Sequence, residues 1–239
     1  MDFDVLPGPS LPELARTALA RAAAATISGA GPAGCEVPPG QVPVRAGRDG
    51  SPLLLPATRS LLGRWLAACP QPVTVGVPAA APFSSLRLTG ETRPVARDSA
   101  AGVSACMVDL RSIEFAGRGS CRVPLQEYRV AAPDPLWRIA RGVLRHLERR
   151  HMADLVGCVR AHGMAGADWV IPSGLDRYGL ELTVLATDGI AAVRLSFPGG
   201  PVTSLRDVPA SIRTVLTCRC QDTSGSADEP CGRRPPRRD

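Results

Sequence analysis

The chain has 239 residues, of which 44% are hydrophobic and 21% charged, and this composition excludes a wholly disordered protein. Its length allows one large domain or two small ones, and its 24 Gly and 24 Pro follow no Gly-X-Y period, which excludes a collagen-like protein. The net charge of +6 comes from Arg alone, because the sequence has no Lys. These Arg residues are spread along the chain with few aromatic residues between them, so we interpret them as coding bias and predict no nucleic-acid partner.

Neither the apolar runs nor the N-terminus indicates a membrane protein. The strongly apolar runs, such as 22–27, are far shorter than the roughly 18 residues of a membrane span. Asp2 and Asp4 stand where a secretory signal would have basic residues, so we expect a cytoplasmic protein without a membrane partner. In that reducing compartment the eight Cys residues are not expected to form disulfides, and Cys218 and Cys220 offer too few ligands for a metal site.

The first half of the chain is predicted to contain several short strands and two helices. In chain order the prediction is a helix over 11–25 leading into a strand at 24–28, strands at 42–45 and 52–55 around a turn at 48–50, a helix over 58–68, a strand over 71–77, and further strands within 85–94 and 103–123. Short strands separated by turns are typical of a small antiparallel barrel.

The composition changes at 131–135, where Pro133 and Pro135 disfavour helix in the residues before them. Beyond this point the pattern predicts helices over 136–149, 152–161 and 207–219, and strands over 168–173, 180–186 and 192–197. From 221 onward no Leu, Ile, Val, Phe, Trp or Tyr occurs, so this segment cannot pack a core. We therefore predict a barrel domain over 1–132, a second domain over 133–220 and a disordered tail over 221–239.

The segment Gly29–Gly34 has the letters of the dinucleotide-binding motif G-x-G-x-x-G. That motif places the pyrophosphate at the N-terminus of a following helix. Here the next residues, Cys35–Gly40, include two prolines and cannot begin a helix. We interpret the segment as a loop.

A candidate phosphate site lies where a predicted strand leads into the helix over 58–68. Thr58, Ser60 and Arg64 are at this junction, and Arg45 is on a preceding strand. Backbone amides at such a junction and the fork of an Arg side chain both bind phosphate. The alternative is an exposed helix face with ordinary Arg residues.

The three histidines, His146, His151 and His162, all lie in the second half. His146 and His151 are five residues apart, so their side chains approach each other only if the helix breaks near Arg149. His151 and Asp154 have the i, i+3 spacing that lets side chains touch. These histidines either anchor a helix turn through hydrogen bonds or serve as ligand or catalytic groups.

Several motifs of the second half resemble the domain of unknown function 2470. They are HLERRH at 146–151 followed by Asp154, GLDRYGLEL at 174–182, and VRLSFP at 193–198. In relatives this domain accompanies a flavin-type split barrel, as in haem-utilisation (HugZ-like) proteins and the plant glutamyl-tRNA reductase-binding protein. The first half resembles such a barrel, of the pyridoxamine 5'-phosphate oxidase-like class that binds flavin mononucleotide (FMN), at LPATRSLLGRWLAACP (55–70) and LRLTG (86–90).

The resemblance implies an α+β fold, with an N-terminal antiparallel split β-barrel with flanking helices and a small C-terminal α+β domain, in a homodimer. It also implies haem, FMN or neither as cofactor. Glu148 and Arg150 replace the Asn and Asp usual in the histidine box, while both histidines persist. Haem-degrading relatives hold iron through a C-terminal histidine, and no histidine follows His162, so the resemblance does not extend to haem degradation.

Three functions follow from the resemblance and stay open at this point. The first is binding of haem or a related tetrapyrrole, the second is a non-catalytic regulator that binds another protein, and the third is an FMN-dependent oxidoreductase. The candidate cofactor-binding residues are Arg45, Thr58, Ser60, Arg64, His146 and His151.

Overall fold

The structure is a computed structural model, and it describes residues 8–29, 40–67, 70–98, 103–117, 119–187 and 189–217. Contacts divide these residues into two compact units, one of Ser10–Asp134 and one that includes the described part of Pro135–Asp239. The assignment of 1–132 and 133–220 as domains stays a prediction. The predicted tail over 221–239 and most of the glycine-rich segment after Gly29 lie outside the described residues.

The first unit is built around an antiparallel β-barrel. Its strands are β1 (Ala24–Ser28), β2 (Gly40–Ala46), β3 (Pro52–Leu54), β4 (Pro72–Pro78), β5 (Phe83–Asp98), β6 (Val103–Gly117) and β7 (Cys121–Arg122). In the described residues, six strands pair in the order β3-β2-β1-β4-β5-β6, and the barrel closes because β3 also pairs with β6, with Leu53 opposite Met107. β7 extends the sheet beside β6. The predicted split barrel is confirmed.

Apolar side chains at alternate positions of the strands fill the interior of this barrel. On β4, Val73, Val75 and Val77 are buried, and on β5 Leu86 and Leu88 are fully buried. Successive side chains of a strand point to opposite faces, so each strand presents every second residue to the core. Burial of one such side chain stabilises the fold by about 1.5–3 kcal/mol. With few aromatic residues in the chain, Val and Leu supply most of this core, as the composition predicts.

Three helices flank the barrel within the described residues, α1 (Leu11–Arg21), α2 (Leu61–Ala67) and α3 (Leu125–Val130). Ser10 caps α1, whose residues Ala15 and Leu19 are fully buried. The predicted helix over 58–68 begins only at Leu61, because the Ser60 hydroxyl accepts a hydrogen bond from the Gly63 amide at 2.8 Å and so caps the helix there.

The second unit combines a three-stranded sheet with helices, as predicted for a small α+β module. Its elements are α4 (Trp137–Arg150), α5 (Met152–Ala161), β8 (Ala167–Asp176), β9 (Gly179–Ala186), β10 (Gly189–Ser196) and α6 (Val208–Thr217). The strands are antiparallel in the order β10-β9-β8. Leu180, Leu182 and Val184 of β9 belong to one buried cluster with Leu147 of α4 and Leu155 of α5. Among the described residues, every helix is too short or too polar to cross a bilayer.

Candidate functional site

A break between α4 and α5 brings His146 and His151 together. His151 separates the two helices and has φ −129° and ψ 22°, outside helical values. Side chains five residues apart on a continuous helix point about 140° away from each other. With the break, the two imidazole rings lie 5.2 Å apart between centroids at an interplanar angle of 58°. The helix break that the sequence requires for these rings to approach is therefore present, and it lies at His151, two residues after Arg149.

Asp154, in the first turn of α5, holds the His151 ring. The distance from His151 Nδ1 to Asp154 Oδ2 is 2.9 Å. An ionised carboxylate only accepts hydrogen bonds, so this contact favours a ring with the proton on Nδ1, and in the neutral form of that ring the Nε2 lone pair can bind another partner. Histidines that ligate metals in proteins show this arrangement, with a carboxylate fixing the tautomer from the second nitrogen. His151 thus has the orientation of a ligand.

His146 and His151 line a cleft of about 550 Å³ within the second unit. From α4, the cleft receives Val143, His146 and Leu147, and Asp154 of α5 lies beside His151. This volume falls in the range of small-molecule sites, which are about 300–1,000 Å³. The cleft is open to solvent on the His146 side, since that residue is exposed while Leu147 is buried.

The opposite wall of the cleft is α6. Its lining side chains are mostly apolar, and they comprise Val208, Pro209, Ile212, Arg213, Leu216 and Thr217. Val208 and Ile212 are buried, whereas Arg213 and Thr217 are exposed. The sequence does not connect α6 with the histidines, because more than fifty residues separate them along the chain. The amphipathic pattern of α6 indicates a buried face but not which helix it meets.

The cleft is a poor match for a bare metal ion. Among the residues that the structure describes, no group of three or more His, Cys, Asp or Glu side chains is arranged to hold one. Structural and catalytic metal ions bound by protein alone take at least three such ligands in most sites. A group that brings its own ligands needs fewer side chains from the protein, and two imidazoles meet that smaller requirement.

The four residues of the predicted phosphate site all lie in the first unit. Arg45 is exposed on β2, where its Cα partner is Leu53 of β3, and Arg64 is exposed on α2. The Ser60 hydroxyl donates to the Ala57 carbonyl oxygen at 2.8 Å and also accepts from the backbone of α2. Thr58 is half-buried in the preceding turn. The Ser60 hydroxyl thus serves the start of a seven-residue helix, and the phosphate site stays a prediction.

No protein-family model matches the sequence, so the domain of unknown function 2470 is not confirmed, and no curated protein matches it either. Among solved structures, the chain is similar to a haem-binding protein from Mycobacterium smegmatis, with 23% identity and a TM-score of 0.63, over 88% of this chain and 97% of that one. This likeness establishes the split-barrel fold.

Two further solved structures are similar at lower TM-scores. A protein of unknown function from Agrobacterium tumefaciens has 16% identity and a TM-score of 0.41, over 88% of this chain and 98% of that one. A Clostridium acetobutylicum protein of the pyridoxinephosphate oxidase family, related to general stress protein 26 of B. subtilis, has 12% identity and a TM-score of 0.34, over 45% of this chain and 89% of that one.

Proposed function

We propose that this protein binds haem or a related tetrapyrrole in the cleft formed by α4, α5 and α6, with His151 as the ligand to the iron. The observation that supports this most directly is the hydrogen bond between His151 Nδ1 and Asp154, at 2.9 Å, on the wall of an apolar cleft. It leaves Nε2 of His151 available to a metal.

The donor set of the cleft fits haem. A porphyrin supplies four nitrogen ligands to its iron, and the protein adds one or two, most often from histidine. His151 would be that ligand, and His146, whose ring lies 5.2 Å away, adds a second polar group beside it. When bound, haem supplies redox and gas-binding chemistry, and the residues of this chain hold and orient it. Catalysis is not part of the proposal.

The walls of the cleft fit the macrocycle. Val143 and Leu216 are half-buried and present apolar surface to the cleft, which the buried side chains of Leu147, Val208 and Ile212 also line. Transfer of the apolar face of a tetrapyrrole from water to such a wall is favourable in proportion to the area covered. The Mycobacterium smegmatis protein of similar fold is described as haem-binding, which supports haem as the first tetrapyrrole to test.

An absorption titration with haemin tests the proposal. We expect a shifted Soret band with the natural chain, loss of that shift in His151→Ala, and a binding constant weakened by about 10–100-fold in Asp154→Asn, since removing a carboxylate behind a histidine ligand has effects of that size. His162→Ala is the matched control, because His162 lies at the far end of α5, and it should bind haemin like the natural chain. Equal binding by all three variants would refute His151 as the ligand.

The other expectations from the resemblance remain proposals. FMN binding would involve Arg45, Thr58, Ser60 and Arg64 of the first unit, none of which lines the histidine cleft. The homodimer, a separate protein partner and the cytoplasmic location likewise stay predictions. No observation of the structure favours one of them over tetrapyrrole binding.

A further inference from the structure

We propose that Arg213 binds a carboxylate of the ligand, so that the cleft selects tetrapyrroles with free acid side chains and holds them in one orientation. This inference rests on the proposed function and deepens it, because it names the ligand group that the far wall of the cleft recognises. It comes from how α6 lines the cleft and from the opposite charges of two side chains in that lining, Arg213 and Asp154.

The surface of α6 changes from apolar to polar across the cleft. Val208, Ile212 and Leu216 recur every four residues and so lie in one row along the helix. Arg213 and Thr217 form the neighbouring row, also four residues apart, and both rows line the cleft. Val208 and Ile212 are buried while Arg213 and Thr217 are exposed, so the apolar row forms the inner wall and Arg213 lies at its edge. A ligand against this wall meets apolar surface first and a guanidinium at its rim.

Arg213 has its charge available for such a ligand. Within the described part of the chain, Arg213 forms no ion pair with an acidic side chain. Arg194, in contrast, is paired with both Asp176 and Glu181, and the Arg160 guanidinium donates to the Ala167 carbonyl oxygen at 3.0 Å. A guanidinium is planar and binds a carboxylate through two parallel hydrogen bonds.

A second charged side chain of the cleft lining sets the orientation. Asp154 lines the cleft beside His151 and repels a carboxylate there, while it favours a positive or metal-bearing group. Arg213 has the opposite preference. A ligand with a metal centre and peripheral carboxylates therefore satisfies both side chains only when its acid groups are directed toward Arg213 and away from Asp154. Neutral ligands of the same shape lack this interaction.

The test compares haemin with its dimethyl ester, which keeps the iron and the macrocycle but lacks the charges. Binding constants are measured in one detergent-containing buffer for the natural chain, Arg213→Gln and Arg206→Gln. Arg206 is an exposed arginine that does not line the cleft, so its variant is the matched control. We expect the natural chain and the control to prefer the acid by about tenfold or more, which is the size of one charge-assisted interaction. Arg213→Gln should lose this preference and bind the ester unchanged.

Two results separate the inference from the function on which it rests. If haemin binds through His151 but Arg213→Gln keeps the preference for the acid, the role of Arg213 is wrong and the proposed function stands. If the natural chain gives no Soret shift with haemin, the proposed function fails, and metal-free protoporphyrin and its ester then test Arg213 alone. Absence of an Arg213-dependent acid preference with that probe as well would overturn the inference. Unchanged thermal unfolding of Arg213→Gln shows that the variant is folded.

Discussion

Tyr128 of α3 is fully buried, and its hydroxyl donates a hydrogen bond to the Gly50 carbonyl oxygen at 2.7 Å. Arg16 of α1 lies over the Tyr128 ring at 5.4 Å from its centroid and donates to the Arg48 carbonyl oxygen at 2.8 Å. These contacts tie two helices to the turn between β2 and β3. Gly50 has φ +86°, and a Cβ at this position would overlap the Arg16 guanidinium and the Tyr128 ring, so only glycine fits there.

Burial raises the pKa of Tyr128 to about 12, although the positive charge of Arg16 acts in the opposite direction. A pKa raised above the unfolded value of 10.0 means that the folded state keeps the proton longer. This contribution to stability is fully present below about pH 10 and is lost as the pH rises through 12. It amounts to roughly 2–3 kcal/mol.

We therefore predict that the free energy of unfolding falls between pH 10 and pH 12 in the natural chain, and that Tyr128→Phe removes this part of the slope. At neutral pH the same variant should be less stable by about 1–3 kcal/mol, because the buried Gly50 carbonyl loses its donor. Urea unfolding measured across the pH range checks both effects. Tyr178→Phe changes the other tyrosine of the chain and serves as control. An unchanged slope in Tyr128→Phe would contradict the assignment.

For single residues, the sequence identified part of the candidate site. The i, i+3 spacing of His151 and Asp154 predicted their contact, because such pairs are neighbours on a helix whatever the fold. Arg213 was not predicted, since its place in the cleft depends on where α6 packs. Ser60 as a phosphate contact stays a prediction, and its hydroxyl forms hydrogen bonds with the backbone around it.

Among the elements, the hairpin of β8 and β9 depends on one carboxylate. Asp176 Oδ1 accepts hydrogen bonds from the backbone amides of Tyr178 and Gly179 at 2.8 Å and 3.1 Å, which fixes the turn. Arg194 of β10 donates from Nη2 to both Asp176 oxygens at 2.6 Å and 2.7 Å, so all three strands meet at this residue. Both side chains are mostly buried, with 17% of Arg194 and 16% of Asp176 exposed.

Replacing Asp176 by Ala leaves Arg194 partly buried with only Glu181 as acid partner, and we expect a loss of about 2–4 kcal/mol in the stability of the second unit. Asp176→Asn keeps an oxygen for the turn and should lose less. Asp168→Ala, at an exposed position of β8, should stay within about 0.5 kcal/mol of the natural chain. Urea midpoints give the three values, and equal losses for Asp176→Ala and Asp168→Ala would show that the carboxylate does not hold the hairpin.

Long amphipathic elements were the easiest to predict. The helices over 136–149 and 152–161 correspond to α4 (Trp137–Arg150) and α5 (Met152–Ala161), because several turns repeat the same apolar period. The short helix α3 was not predicted, since its six residues are too few to show a period. β5, of 16 residues, is longer than the predicted segment 85–94, because its pairing with β6 extends it beyond its apolar residues, and the two strands predicted within 103–123 are β6 and β7.

For the whole molecule, the strand pattern and the change of composition near Pro133 and Pro135 predicted a barrel followed by a smaller α+β unit, and both are observed. Barrel closure through β3 and β6 and the packing of α6 on α5 are contacts between distant parts of the chain. Periodicity describes each element separately and does not specify such pairings. The candidate cleft also depends on a contact between distant elements, so the sequence predicted its two histidines but not that α6 lines it.

A tetrapyrrole bound in the cleft of the second unit would stabilise the segments that line it. Hydrogen–deuterium exchange mass spectrometry with and without haemin measures this effect, because bound ligand slows exchange in the segments that it stabilises. We predict slower exchange in 142–155 and 208–217 and no change in β4 or β5, with the effect lost in His151→Ala. Protection confined to Ser10–Asp134, or equal protection in His151→Ala, would contradict binding through His151 in this cleft.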